Sequence, residues 1–459
     1  MIKQDLSKYA ELFKSYTEIR VQENRSNHLT MVNGDLMGNS KQSQSGVSAR
    51  CYHNGSWGFA SNPNINDKAI KDVIVKANKN AEFLGIKDNN PKGDLPKTWG
   101  ECDKSFATVK PRKTQKELID FLQAIDTHLS ETYPDLTSRT VVISNLDMEK
   151  QLYNSEGANA YTLIPRTMIY AVMTLTVDEK PYDLYKVYGG LGQFEDNFEK
   201  PEELYAEMAE QYKHLKNKSE GVYPEAGYKD VILDADLAGI LAHEAIGHTT
   251  EADLVKGGSV AGDFLNEKVA TELVTLVDFA NTAMGETCPT PVYVDDEGTE
   301  SEDTVIIENG ILKNYMNNKE LALYFDDKPT GNARAYGFYD EPLVRMRNTA
   351  ILPGTSKLED MIASIDDGYY LIKSSNGQAD STSEFMFGVV LGYEIKNGKL
   401  GKAIKDTTIS GIAFDVLKTV TMISDDMSWS NGGMCGKKQM IPVGMGGPAI
   451  KCKVNIGGK

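Results

Sequence analysis

Residues 241 to 248 read Leu-Ala-His-Glu-Ala-Ile-Gly-His, and this string constrains the backbone more than any other in the chain. In a zinc peptidase helix two histidines usually stand four apart as H-E-x-x-H. Both rings then share one face, with the glutamate beside them as general base. Here the spacing is five. At roughly 100° per residue, five steps separate the rings by about 140° on an ideal helix, against about 40° for four. A regular helix therefore cannot bring His243 and His248 to one ion. If the two act together, the helix is broken or widened by a π-type bulge near Gly247; if the helix is straight, the string has no metal function.

The chain around this string has 459 residues. At about 150 residues per core, two or three domains are expected. Thr17 to Met37 alternates polar and apolar residues around Asn33-Gly34, a hairpin signal, and the pattern recurs over Gly46 to Ala60 around Asn54-Gly55. Asn66 to Leu84 and Thr114 to Glu131 have helical periodicity, and Glu202 to Lys216 is a charged helix. Strands are expected at Ser138 to Asp147, Glu149 to Tyr153, Thr167 to Asp178 and Tyr228 to Leu233. Asp234 or Asp236 is expected to cap the helix carrying the histidines. From Val292 onward the pattern is mostly strands around Asn-Gly turns. The fold class read from this order is α+β. It divides into an N-terminal α/β region (1–90), a strand-rich middle region (98–222) and a mainly antiparallel C-terminal domain (223–459) carrying the histidine helix. The boundaries fall at the Asn/Pro/Gly/Lys-rich loop Lys87 to Lys97 and near residue 222.

A net charge of −17 argues against nucleic acid or an anionic membrane surface as the main partner, since both are bound through clustered Lys and Arg. No segment approaches 18 uninterrupted apolar residues, so no membrane span is expected. The opening Met1 to Phe13 reads as an amphipathic helix rather than a signal peptide. Five cysteines at irregular spacing are not a disulfide framework, which points to a reducing cytoplasm with free thiols.

The run Leu237 to Ala242 is uncharged and consistent with burial, so His, Glu and His at its end are costly unless something pairs them. A metal ion would do so. Catalytic zinc wants three protein ligands and one open position. Cys435, in the glycine-rich segment Asn431 to Gln439, offers a thiol, although a lone cysteine in such a setting also serves as a small buried side chain. Cys452 fits a strand residue within Ala449 to Ile456, and Cys51 with His53 fits a hairpin. Asp295, Asp296 and Glu297 read as a structural acidic turn. Arg345 and Arg347 alternate on an expected strand and could meet a peptide carboxylate or form surface ion pairs.

Several strings in order resemble the TldD/PmbA metallopeptidases, whose older label is modulator of DNA gyrase. They are His243 to Asp253 (His-Glu-Ala-Ile-Gly-His-Thr-Thr-Glu-Ala-Asp), Asp295 to Thr299, Glu308 to Leu312, Thr330 to Arg334, Arg345 to Thr349, and Met434 to Lys437. The likeness runs over residues 225 to 459. Weaker echoes occur at Trp57 to Ala60 and Asn154 to Gly157. It resembles the TldD branch, because the PmbA (TldE) branch lacks HExxxH. The resemblance implies one zinc held by His243, His248 and Cys435, with Glu244 as the catalytic carboxylate. It also implies an unfolded or extended peptide substrate, and a homo-oligomer or a hetero-oligomer with a TldE/PmbA-type subunit. Glu251 and Asp253 then either orient the imidazoles or are plain charges on the helix surface. Two other readings stay open: a non-catalytic peptide-binding or regulatory subunit, and a thiol enzyme with Cys435 as nucleophile.

Overall fold

The computed structural model describes residues 2–88 and 93–457. Residues 89–92, inside the loop expected to be the first boundary, lie outside the described residues.

Asn33 and Gly34 both have positive φ, which the tight hairpin turn requires. They join β1 (Tyr16–Val32) to β2 (Asp35–His53), and a second Asn-Gly turn leads into β3 (Ser56–Asn62). The helix α1 (Asp67–Asp88) follows, then β4 (Glu101–Ser105) and α2 (Gln115–Thr132). Thr114 and Glu117 close a reciprocal capping box at the start of α2. Next come β5 (Ser138–Asn154), β6 (Asn159–Val177), β7 (Lys180–Leu191) and the helix α3 (Tyr205–Ser219). The strands form one sheet in the order β3-β2-β1-β5-β6-β4, with β7 on the remaining length of β6. β1 pairs with β5 from Glu18–Asn154 to Val32–Thr140. The segments expected as separate regions, 1–90 and 98–222, thus share a single sheet.

Strand alternation gives that sheet two different faces. Ile19, Val21, Leu29, Met31, Val141, Ile143, Ile169 and Ala171 point to the helices. They pack on Ile70, Val73, Ile74 and Ala77 of α1 and on Leu118, Leu122, Ile125, Met208 and Leu215 of α2 and α3. The opposite face is polar yet buried. Arg20 donates to the carbonyl of Gly337, Arg50 pairs with Glu18 and Glu297, and Lys150 pairs with Asp296 at 2.7 Å. These bonds dock the sheet onto the C-terminal region. The acidic turn at 295–297 is therefore committed to structure, as expected.

Two expected elements change. The opening helix is only a 3₁₀ stretch, Ser7–Leu12, with Leu6 and Tyr9 buried against α1. The strands expected at 138–147 and 149–153 are one strand, because β1 offers a partner along the whole length.

In the C-terminal region β8 (Gly227–Leu233) leads into the short helix α4 (Ala235–Ile240). Further strands are β9 (Leu276–Phe279), β10 (Thr304–Glu308), β11 (Asn348–Ile351), β12 (Asp367–Ala379), β13 (Glu384–Lys396) and β14 (Thr407–Ile412). The last are β15 (Ser428–Ser430), β16 (Met434–Lys437), β17 (Gln439–Pro442), β18 (Gly444–Gly447) and β19 (Ile450–Ile456). β12, β8, β19, β14 and β13 pair in that order, and β13 returns to β12, so five strands close into a barrel. A second sheet runs from β10 through β9, β11 and β18 to β15 at its edge.

The α4 helix and its continuation are buried in one core with both sheets through Leu237, Ala238, Leu241, Ala242, Ala245 and Ile246. At Gly239 an added Cβ would lie 2.8 Å from the backbone nitrogen of Gly446, so the helix meets β18 backbone to backbone. Asp234 occupies the cap position without a side-chain cap bond. Asp236 is spent instead on the Ser374 amide and on Lys373. The fold is a mixed α+β architecture with mostly antiparallel sheets, and no helix among the described residues is long and apolar enough to cross a membrane.

Candidate metal centre

The helix loses α geometry where the histidine spacing requires it. Leu241 to Gly247 is a π-helix, and the amide of His248 donates to the carbonyl of His243 five residues back. The wider turn rotates His248 toward His243, leaving the ring centroids 5.2 Å apart at 79°. Gly247 permits it, since a Cβ there would overlap the sulfur of Met346. A 3₁₀ turn, His248–Thr250, then ends the helical segment.

Cys435 approaches from β16, which pairs with β17 in a two-stranded hairpin. Its Sγ is buried and lies 3.4 Å from Nε2 of His248. One ligand atom each from His243, His248 and Cys435 lies within 4.8 Å of the others. Glu244, with about a quarter of its side chain exposed, has a carboxylate oxygen 3.7 Å from Nε2 of His248.

The electrostatics favour a thiolate. Burial pushes the Cys435 thiol up, but the imidazoles of His243 and His248 outweigh it and bring the pKa down to about 4. For His248 burial disfavours the charged form; the carboxylate of Glu251 and the sulfur of Cys435 outweigh it and hold the pKa well above the ordinary imidazole value. Neither ring nitrogen of fully buried His243 has a hydrogen-bond partner. Orphaned buried nitrogens of this kind are rare unless another ligand serves them. Two imidazoles and a thiolate, with one imidazole fixed through its second nitrogen, are a donor set suited to zinc.

Around this set the structure sorts the remaining candidates. Glu251 is fully buried and accepts from Nδ1 of His248 at 2.7 Å. Asp253 touches no imidazole and pairs with Lys437 at 2.9 Å. Lys437 also reaches Glu251 at 3.2 Å. No role was assigned to Lys437 from sequence, although its position two residues after Cys435 on a strand puts both side chains on one face. Arg345 and Arg347 are fully buried, so neither can meet a substrate carboxylate or form a surface ion pair. Arg347 pairs with Asp278 at 2.8 Å, and Arg345 donates to the carbonyls of Cys435, Lys437 and Gln439. Cys51 is a core residue 3.4 Å from the Thr17 hydroxyl, and Cys452 is buried in β19.

The PmbA/TldA metallopeptidase C-terminal domain matches residues 226–458, and domain 1 of the same family matches residues 17–81. A metalloprotease of Methanocaldococcus jannaschii is 34% identical over 453 residues, covering 95% of each chain. A zinc metalloprotease TldD homolog of Saccharolobus solfataricus is 30% identical over 460 residues, covering 99% of each. The fold matches that of TldE from Thermococcus kodakarensis with a TM-score of 0.77 at 18% identity, over 98% of each chain. Matched along its length by metalloproteases and carrying the family's C-terminal domain, the chain belongs to the PmbA/TldD metallopeptidase family.

Proposed function

We propose that this metallopeptidase holds one zinc ion through His243, His248 and Cys435 and hydrolyses peptide bonds in extended or unfolded peptides. The observation that carries the reading is the convergence of the three ligand atoms within 4.8 Å, which only the π segment makes possible. Two neutral imidazoles and one thiolate around a divalent ion leave a net charge of +1, the same as a His2Glu peptidase site. Zinc bound there supplies Lewis acidity to the scissile carbonyl and to water. Glu244 takes the proton from the attacking water and returns it to the leaving amine. Glu251 keeps His248 in the tautomer that presents Nε2.

The substrate reading rests on the neighbourhood of Cys435. A cavity of about 780 Å3 is bordered by β7, by β15, by Ile240 next to the π segment and by Met434 next to the thiol. β15 is the outermost strand of its sheet, and among the described residues its outer edge pairs with no further strand, so an extended chain can add there through backbone hydrogen bonds. Such recognition tolerates many sequences. We assign the active form to an oligomer with itself or with a TldE-type subunit, in a reducing compartment compatible with five free thiols.

A thiol enzyme is the second reading, favoured by the 3.4 Å contact between Cys435 and His248. Metal analysis with an unstructured peptide substrate separates the two. Stoichiometric zinc, lost in His243→Ala and kept in an inactive Glu244→Ala, is the expected outcome. Activity that survives exhaustive chelation overturns the metallopeptidase mechanism in favour of the thiol.

A further inference from the structure

The third ligand candidate stands on the short hairpin strand β16, and two buried arginines hold that strand and the stretch before it by the main chain. Arg345 takes the carbonyls of Cys435, Lys437 and Gln439 from within the C-terminal region. Arg166 comes from the other side, on β6 of the N-terminal sheet. Its two terminal nitrogens both donate to the carbonyl of Gly433 at 3.2 Å, and one also donates to the carbonyl of Asn431. Asn431 answers with its side-chain amide to the carbonyl of Gly189 on β7 at 2.9 Å. At Gly190 an added Cβ would stand 3.0 Å from that same amide, so the contact is close.

Arg166 is 4% exposed, and among the described residues no carboxylate lies within ion-pair distance of it. Burial lowers its pKa to about 10, which leaves it charged at neutral pH. An unpaired buried cation is costly, and with Nε left without a partner the terminal N–H groups of Arg166 carry the offset through their carbonyl acceptors. All of the partners Arg166 has on the C-terminal region belong to residues 431–434, immediately before the thiol.

We propose that Arg166 is a positioning residue for the metal centre: the N-terminal sheet, through Arg166 and the Asn431–Gly189 bond, sets where Cys435 stands relative to the two histidines. The proposal rests on the assignment of Cys435 as a ligand. It makes the ligand set a joint product of two parts of the chain, because the histidines come from the C-terminal core alone and the thiol is held from both sides. Removal of the clamp leaves the histidine pair intact and lets the sulfur drift.

The test uses the full chain stripped of metal and titrated with Co2+, whose bond to a thiolate gives a charge-transfer absorption. Arg166→Lys keeps the charge but loses the fork that reaches two carbonyls. It is expected to bind Co2+ about 10–100-fold more weakly, with a reduced thiolate band. Asn431→Ala is expected to shift both readings in the same direction and serves in its place should Arg166→Lys not fold. Arg139→Gln, which breaks an ion pair from β5 of the same sheet to Asp126 of α2, lowers stability without moving either reading. Wild-type affinity and band intensity in the clamp variants overturn the role of Arg166 alone. A wild-type protein with no thiolate band overturns the ligand set and the clamp with it.

Discussion

Nδ1 of His248 stands 2.7 Å from a carboxylate oxygen of Glu251, three residues later and fully buried. The 3₁₀ turn over 248–250 makes this contact possible, and Lys437 anchors the same carboxylate from the strand that carries Cys435. Glu251 therefore ties the two protein arms of the site together. Glu251→Gln keeps the shape and loses the charge, and we expect metal affinity to fall by about 10–100-fold in chelator competition, with the fold retained. Unchanged affinity would mean that His248 needs no partner to orient it.

Glu244, proposed as the general base, has a different expected signature. It is partly exposed and lies 3.7 Å from His248 without being needed as a ligand. Glu244→Gln is expected to bind zinc as the wild type does while kcat on an unstructured peptide drops by about 10²–10⁴-fold. Loss of metal together with activity would place Glu244 among the ligands instead.

The metal-free protein should carry a distinct pH signature. Cys435 is held at about 4 against an ordinary 9.0, and His248 well above 6.5. Between pH 4 and 9 the unfolded chain binds a proton at Cys435 that the folded chain does not, so this contribution to stability grows with pH. His248 is protonated in both states below 6.5; above that value its contribution is lost as pH rises through its folded pKa. The stability of stripped wild type relative to Cys435→Ser should rise from pH 4 to 6.5, where His248 is protonated in the folded and unfolded chains alike. Urea unfolding of both proteins across that range checks the slope, and a difference independent of pH contradicts the thiolate.

Arg347 and Asp278 form a buried pair with neither side chain exposed. The same carboxylate also accepts from the amides of Arg347 and Asn348 and from the side chain of Asn332. Arg347→Met strands the charge of Asp278 and should cost about 3–5 kcal/mol in denaturant unfolding. KM measured on whatever folds should be unchanged. A raised KM with intact stability would restore the substrate-binding role suggested by the sequence.

What the sequence disclosed follows from local physics. The five-residue spacing of His243 and His248 demanded a widened helix, and the backbone has one over Leu241–Gly247. Asn-Gly turns and strand alternation marked the hairpins β1–β2 and β2–β3. Cys435 was less legible. The segment that carries it meets Arg345 and Arg166, residues 90 and 269 positions away; the glycine-rich stretch offered the thiol, and the motif resemblance made it a ligand. Arg345 and Arg347 misled for a related reason: charge on an alternating strand reads as surface until a carbonyl array or a buried carboxylate is seen opposite. The single N-terminal sheet was hidden because the β1–β5 pairing joins residues more than a hundred apart. Asp236 was drawn from its cap role by Ser374 and Lys373, a long-range competition no local pattern records.

Three side chains from two separate segments are proposed to hold one metal ion. Anomalous diffraction at the zinc absorption edge on crystals of the purified protein tests it most directly. One peak is predicted, at bonding distance from His243, Nε2 of His248 and Sγ of Cys435, with occupancy abolished in Cys435→Ser. A fully occupied peak elsewhere in the chain, or one that contacts the histidines while Cys435 turns away, would contradict it.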